Sequence, residues 1–177
     1  MKKSFLAGIL IGLGVIVNTQ MEYKPLGALL FSFGLVTIIN MKLLLFTGKV
    51  GYLVNGLLPM LFFNLLGIAA TVGLYAFSNP AYIDIISAAA AAKFSKNIIT
   101  LFINAVFCGA LIHFAVKNKN IVITIFAVVI FILIGAEHCI ADFPYLIFNL
   151  SWMNTLKLIA IILGNSAGAI FIEELSK

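Results

Sequence analysis

The chain reads as an all-α membrane protein of six transmembrane helices, arranged as two inverted three-helix repeats with broken second and fifth helices. Three observations predict this. First, the 177 residues are 63% hydrophobic and only 10% charged, with a mean hydropathy of +1.19. Soluble domains run about 45–50% apolar and about 25% charged, so this chain has too little polar material to cover a water-facing surface. Second, the apolar residues form long unbroken runs rather than short alternating segments, which excludes an outer-membrane barrel. Third, a spanning helix takes roughly 20 residues, so six of them use about 120 and fit this length.

The runs are Ser4–Thr19, Leu26–Phe46, Tyr52–Phe77, Asn97–Val116, Ile121–Leu150 and Met153–Ile172, separated by short polar stretches and by the longer Ser78–Lys96. They make one transmembrane domain over residues 1–177, with repeat one at about 4–77 and repeat two at about 94–173. The opening Met1-Lys2-Lys3 before an apolar run has the look of a signal peptide. No small-residue cleavage site with a soluble domain behind it follows, so the run is expected to stay in the membrane as the first span.

All 11 basic residues are lysine, against 6 acids. Six spans put both termini on one side. With that side cytoplasmic, Lys2, Lys3, Lys49, Lys117, Lys119 and Lys177 lie inside against Lys24, Lys93, Lys96 and Lys157 outside, the sign expected of a multi-pass protein in the cytoplasmic (inner) membrane. The lysine excess serves as topology signal and anion attraction, and no nucleic-acid partner is expected. Cys108 and Cys139 both sit in apolar stretches, which argues against a disulfide framework.

Two segments are interrupted. The second ends in Phe46-Thr47-Gly48-Lys49-Val50-Gly51, where two glycines let the backbone leave helical geometry. The fifth contains Gly135-Ala136-Glu137-His138-Cys139-Ile140-Ala141-Asp142-Phe143-Pro144, with three ionisable side chains and a helix-breaking proline between apolar flanks. Unwound backbone is tolerated in a bilayer only where protein buries it or where it lines a cavity, so both interruptions point to a pathway. The last span of each half carries the same Asn-x-x-Gly, as Asn64-Leu65-Leu66-Gly67 and Asn165-Ser166-Ala167-Gly168. Two three-span halves, each interrupted in the middle, form the pattern of an inverted repeat with its site at the midplane.

These residues resemble the formate/nitrite transporter family. The matching stretches are Gly27 to Leu35, Leu45-Phe46-Thr47-Gly48, Asn64 to Gly67, Gly135-Ala136-Glu137-His138-Cys139-Ile140-Ala141 and Gly164-Asn165-Ser166-Ala167-Gly168, in the family's order over nearly the whole chain. The Gly-x-Glu-His element is the most specific. The resemblance implies an aquaporin-like six-helix protomer with its own pore, assembled as a homopentamer in the lipid bilayer. It also implies transport of small monovalent anions such as formate, nitrite or hydrosulfide, with or without protons. This chain departs from the family pattern at Leu44, where an acid is usual and Lys42 stands nearby, and at Cys139, Asp142 and Gly109, where Ser, Asn and a pore-lining Asn are usual. It is also shorter than the family's usual length.

A bare anion in hydrocarbon faces a penalty of tens of kcal/mol in the idealised limit, so a pore must hydrate, pair or neutralise it. His138 is the candidate proton donor, because imidazole, with an ordinary pKa near 6.5, exchanges protons near neutral pH. The alternative role for it is a neutral histidine bonded to backbone at the break. Glu137 points roughly 100° away from His138 on a helix and reads as an anchor for the break, partnered by backbone N–H groups or hydroxyls. Lys93 falls where the resemblance places a lysine beside the pore, concentrating anions. Lys42 and Asp142 both carry charge at family-neutral positions. Either Lys42 pairs with Asp142 or Glu137, or it snorkels to the interface. Thr47 offers a hydroxyl and a free backbone N–H at the second-helix break, enough to hydrogen-bond one small oxyanion. Phe31, Leu43, Leu44, Phe46 and Phe143 are candidates for an apolar constriction, and Asn165 supports the fifth-helix break. His113 and Cys108 read as packing or membrane-edge residues.

The expected function is a channel or proton-coupled transporter for small monovalent weak-acid anions, with no cofactor and no metal. The competing reading is a six-helix substrate-binding membrane subunit of a vitamin or micronutrient importer. An intramembrane enzyme lacks support, since there is no His-Glu-x-x-His and no Gly-x-Ser-x-Gly.

Overall fold

The computed structural model describes all 177 residues and contains nine α-helices and no strand. They are α1 (Lys2–Gln20), α2 (Lys24–Asn40), α3 (Phe46–Lys49), α4 (Leu57–Ser78), α5 (Ala81–Phe94), α6 (Ile98–Asn118), α7 (Ile121–Leu133), α8 (Cys139–Phe148) and α9 (Trp152–Leu175), with a 3₁₀ turn at Val50–Tyr52 after α3. Four of them, α1, α4, α6 and α9, are long and apolar enough to cross a membrane, while α2, α7 and α8 are shorter apolar helices.

Nine helices arise from six apolar segments for two reasons. The second segment contains α2 and α3 separated by Met41–Leu45, and the fifth contains α7 and α8 separated by Ile134–His138. The polar separator Ser78–Lys96 is itself mostly helix α5. Its alanine run is the best helix-forming sequence available, and Tyr82, Ile86, Ala90 and Phe94 recur at helical spacing to give it a buried face.

The interruptions use different residues from those expected. The first precedes the two glycines: Gly48 lies within α3 and Gly51 in the 3₁₀ turn, while Lys42 takes the left-handed conformation at φ 51°. Pro144 is no breaker either, since it sits inside α8. The second turn is made at Gly135, with φ 71°.

Helix α1 runs parallel to α4, with Ser4 bonded to Asn64 at one end and Gln20 to Tyr75 at the other. Helix α6 runs parallel to α9, with Ala105 beside Asn165 and His113 beside Glu173. Helix α5 crosses the end where α1 and α4 finish, tied to α1 by Tyr82–Thr19 and to α9 by Lys157 donating to the Phe94 carbonyl. The α6/α9 pair therefore starts where the α1/α4 pair stops and runs the opposite way.

Glycines set the closeness of both pairs. A Cβ at Gly8 would overlap the Asn64 carbonyl and one at Gly67 the Phe5 carbonyl; a Cβ at Gly109 would overlap Asn165 and one at Gly168 Val106. A single offset of 101 positions, from Gly8 to Gly109, relates each contact to its counterpart. Small residues of this kind let membrane helices approach backbone to backbone. The outer surface is apolar, with Leu58, Phe62, Leu74, Phe77, Phe107, Phe126 and Leu163 exposed, as a lipid-facing or subunit-facing surface requires.

Candidate functional site

An interrupted helix leaves unpaired carbonyl and N–H groups that have to find partners. Here two carboxamides supply them. Asn64 Oδ1 accepts from the Phe46 N–H at 2.8 Å, and its Nδ2 donates to the Leu44 carbonyl at 2.9 Å and the Ser4 carbonyl at 2.7 Å. Asn165 Oδ1 accepts from the Cys139 N–H at 2.8 Å, and its Nδ2 donates to the Glu137 and Ala105 carbonyls, both at 2.8 Å. Each Asn is fully buried and joins the first N–H of the short helix, the carbonyl two residues before it, and a neighbouring long helix. Asn165 thus supports its interruption as expected, and Asn64 does the same for the other.

These anchors face His138 and Thr47 toward each other. His138 is the N-cap of α8: its Nδ1 accepts from the Ala141 N–H at 3.1 Å. That bond leaves the proton on Nε2, which lies 2.9 Å from Thr47 Oγ1, so a neutral imidazole donates to the hydroxyl. The backbone-bonded role considered for His138 is made through Nδ1, and Nε2 is bonded to Thr47. Phe131 stacks on that ring, with centroids 6.0 Å apart and planes at 25°, and Phe31 packs edge-on against Phe131 at 5.9 Å.

The charged residues are arranged differently from the sequence expectation. Glu137 is fully buried, but its partners are lysines rather than backbone N–H groups or hydroxyls: it is bonded by Lys93 and by Lys96 at 2.8 Å. Lys93 also reaches Asp142 Oδ1 at 2.9 Å and lies 5.1 Å from the centre of the Tyr145 ring. Two ammonium groups therefore oppose two carboxylates, and Lys93 is no free anion attractor. Lys42 forms neither expected pair, having no carboxylate within 4.0 Å. The pairing considered for Lys42 is made instead by Lys93, which α5 delivers to Glu137 and Asp142.

Two cavities lie along the interrupted segments: His138 lines the smaller, and Leu45 and Gly48, on either side of Thr47 in the chain, line the larger. One, of about 130 Å³, is lined by Phe31, Lys93, Lys96, Glu137, His138, Asp142 and Tyr145 among others, and here Asp142 Oδ2 and Asn18 Oδ1 are buried without a partner. The other, of about 310 Å³, is lined by Lys42, Lys49, Lys119 and the apolar side chains of Ile38, Ile39, Leu43, Leu44, Leu45 and Val116. The two are built from corresponding residues. Ile38, Ile39, Lys42, Leu43, Leu44, Leu45, Gly48 and Lys49 answer to Phe131, Ile132, Gly135, Ala136, Glu137, His138, Ala141 and Asp142 at an offset of 93 positions, that from Phe46 to Cys139. Val116 and Lys119 answer to Val15 and Asn18 at the same 101 that relates the glycines. The backbone agrees: Leu43 N–H donates to Ile38 and Ala136 N–H to Phe131, both at 2.9 Å.

Of the constriction candidates, Phe31 lines the smaller cavity and Leu43 and Leu44 the larger, whereas Phe46 is buried and Phe143 partly buried with neither lining either of these two cavities. Phe131, Leu45, Asn18 and Lys96 were not anticipated. Leu45 corresponds to His138 and Phe131 to Ile38 only at the offset of 93, whereas the Asn-x-x-Gly pair lies at 101, so that pair alone does not reveal them.

The sequence matches the formate/nitrite transporter family over residues 1–175. A comparison with curated proteins finds no match. Two solved structures share the fold: an FNT family ion channel, with TM-score 0.80, 21% identity and 99% of this chain aligned to 87% of that one, and a pentameric formate channel with formate bound, with TM-score 0.77, 21% identity, and 99% of this chain aligned to 95% of that one. Interrupted apolar segments, Gly-x-Glu-His at the second interruption and a match along nearly the whole length lead to one conclusion: the chain belongs to the formate/nitrite transporter family, whose members are membrane channels and transporters.

Proposed function

We propose that this protein conducts small monovalent weak-acid anions, formate among them, through a pore of its own within each protomer. The observation that carries this reading is the pair of cavities built from corresponding residues of the two halves, with His138, the donor to Thr47, lining the smaller and Leu45 and Gly48, on either side of Thr47 in the chain, lining the larger. In this reading α2 with α3 and α7 with α8 are two broken spans, six spans form two inverted repeats, and both termini face the cytoplasm. Protomers assemble as homopentamers, as the relative with formate bound does. The family match favours this over an importer subunit.

An anion gathers in the larger cavity, where three lysines face no carboxylate. It then meets apolar side chains, Leu45 on one side and Phe31 and Phe131 on the other, which strip its water. The His138 Nε2–H, released from Thr47, is the hydrogen-bond donor awaiting it, and sharing that proton or one from an adjacent water lowers the cost of a charge in an apolar passage. The smaller cavity, with its lysines already paired to Glu137 and Asp142, holds a monovalent anion weakly and lets it go.

The test is flux in proteoliposomes with a pH dye inside. Formate entering with a proton acidifies the lumen faster than in protein-free vesicles. Equal rates with and without protein, for formate, nitrite and hydrosulfide alike, would overturn the reading.

A further inference from the structure

The two cavities share a backbone plan but differ in charge and size. Where the smaller has Glu137 and Asp142 to balance Lys93 and Lys96, the larger has Leu44 and Lys49 at the corresponding positions and gains Lys42 and Lys119 in place of Gly135 and Asn18. Lys42, Lys49 and Lys119 have no carboxylate within 4.0 Å. One positive charge suffices to draw a monovalent anion; three around a cavity of about 310 Å³ exceed that need, and the volume sits at the lower end of small-molecule sites, which run about 300–1,000 Å³.

The backbone gives an independent pointer. Lys42 and Lys119 both occupy the left-handed region, at φ 51° and 55°. At the position matching Lys42 the other half uses glycine, the residue that adopts this conformation freely. A lysine there carries backbone strain that glycine would spare, and such strain collects at functional sites. The general lysine bias of one membrane face requires neither left-handed positions nor convergence on one apolar-floored cavity.

We propose that the larger cavity is a binding site for phosphate-bearing anions of two or more charges, which lodge among Lys42, Lys49 and Lys119 and close the pore from that side. The occlusion rests on the conduction reading. Solvation cost grows with the square of the charge, so a multivalent anion attracted to the cavity does not follow a monovalent one past Leu45 and Phe31. The same chemistry is offered by a soluble polyphosphate ester and by an anionic lipid headgroup.

Inorganic pyrophosphate is the probe. Calorimetry at constant ionic strength on the detergent-solubilised protein is expected to show binding, weakened at least tenfold in K42Q/K49Q/K119Q, with unchanged helix content by circular dichroism. In phosphatidylcholine vesicles pyrophosphate blocks formate flux from the side bearing the termini and not from the other, and the triple variant's own flux resists block. Block that persists in phosphatidylglycerol vesicles assigns the site to soluble anions; block lost there, with binding kept in phosphatidylcholine, assigns it to headgroups. Equal affinity in wild type and triple variant, or formate flux indifferent to pyrophosphate, would overturn the proposal. Absence of formate flux altogether strikes the conduction reading instead, and the calorimetry still decides the site.

Discussion

At the scale of single residues, the chemistry depends on hydrogen bonds that fix who donates. Because Ala141 occupies Nδ1 of His138, the ring faces Thr47 as an N–H donor. Thr47→Val removes the acceptor and leaves a buried N–H orphaned, at about 1–3 kcal/mol, whereas Thr47→Ser restores it. Formate flux is therefore expected to change in the valine variant and recover in the serine variant; identical rates in both would show that the hydroxyl has no part. Lys93 is bonded to both buried carboxylates and Lys96 to one. Removing one partner of a buried pair costs about 3–5 kcal/mol, so Lys93→Ala should lower the melting temperature more than Lys96→Ala, and E137Q/D142N combined with Lys93→Met should recover much of the loss. A larger effect from Lys96→Ala would contradict this assignment.

At the scale of elements, the stability of both interruptions depends on one carboxamide each. Asn165→Leu orphans the Cys139 N–H and the Ala105 and Glu137 carbonyls; at about 0.5–1.5 kcal/mol per bond the loss is about 2–4 kcal/mol. Asn64→Leu breaks the corresponding three bonds and should cost a similar amount, measurable by thermal unfolding in detergent. A loss below about 0.5 kcal/mol in either would remove that anchor from the account. Much of this level is legible in the sequence, since hydropathy places the long helices and the Asn-x-x-Gly pair marks both anchors. What is not legible is where each interruption falls. Gly48 and Gly51 invite a break by conformational freedom, yet Gly48 stays helical and Lys42 turns instead, because the Asn64 bonds to Leu44 and Phe46 fix the gap four residues earlier. Helix α5 was hidden because its buried stripe is small and its flanks polar, so it read as a connection. With α5 missing, the partner of Glu137 and Asp142 was sought in Lys42, on the other interruption.

At the scale of the molecule, the α6/α9 pair runs opposite to the α1/α4 pair, and residues at constant offsets line the two cavities. A repeat of this kind explains why two cavities of different chemistry share a backbone plan: the scaffold is held by Asn, Gly and backbone bonds common to both halves, and the side chains lining each cavity are free to differ. One cavity carries unpaired lysines and the other a balanced set of two lysines and two carboxylates. That difference gives the two cavities different attraction for anions although they share a scaffold. The large exposed apolar side chains on the outside leave room for both lipid and neighbouring protomers, and native mass analysis of the purified protein is expected to give a pentamer.

Whether transport passes the Thr47–His138 contact is decided by formate flux of His138→Phe in proteoliposomes over a range of pH. The expected rate is at least about tenfold below wild type, equivalent to about 1.4 kcal/mol in the barrier, together with an altered pH dependence. A variant that carries formate, nitrite and hydrosulfide at the wild-type rate and with the wild-type pH dependence would contradict passage by that contact.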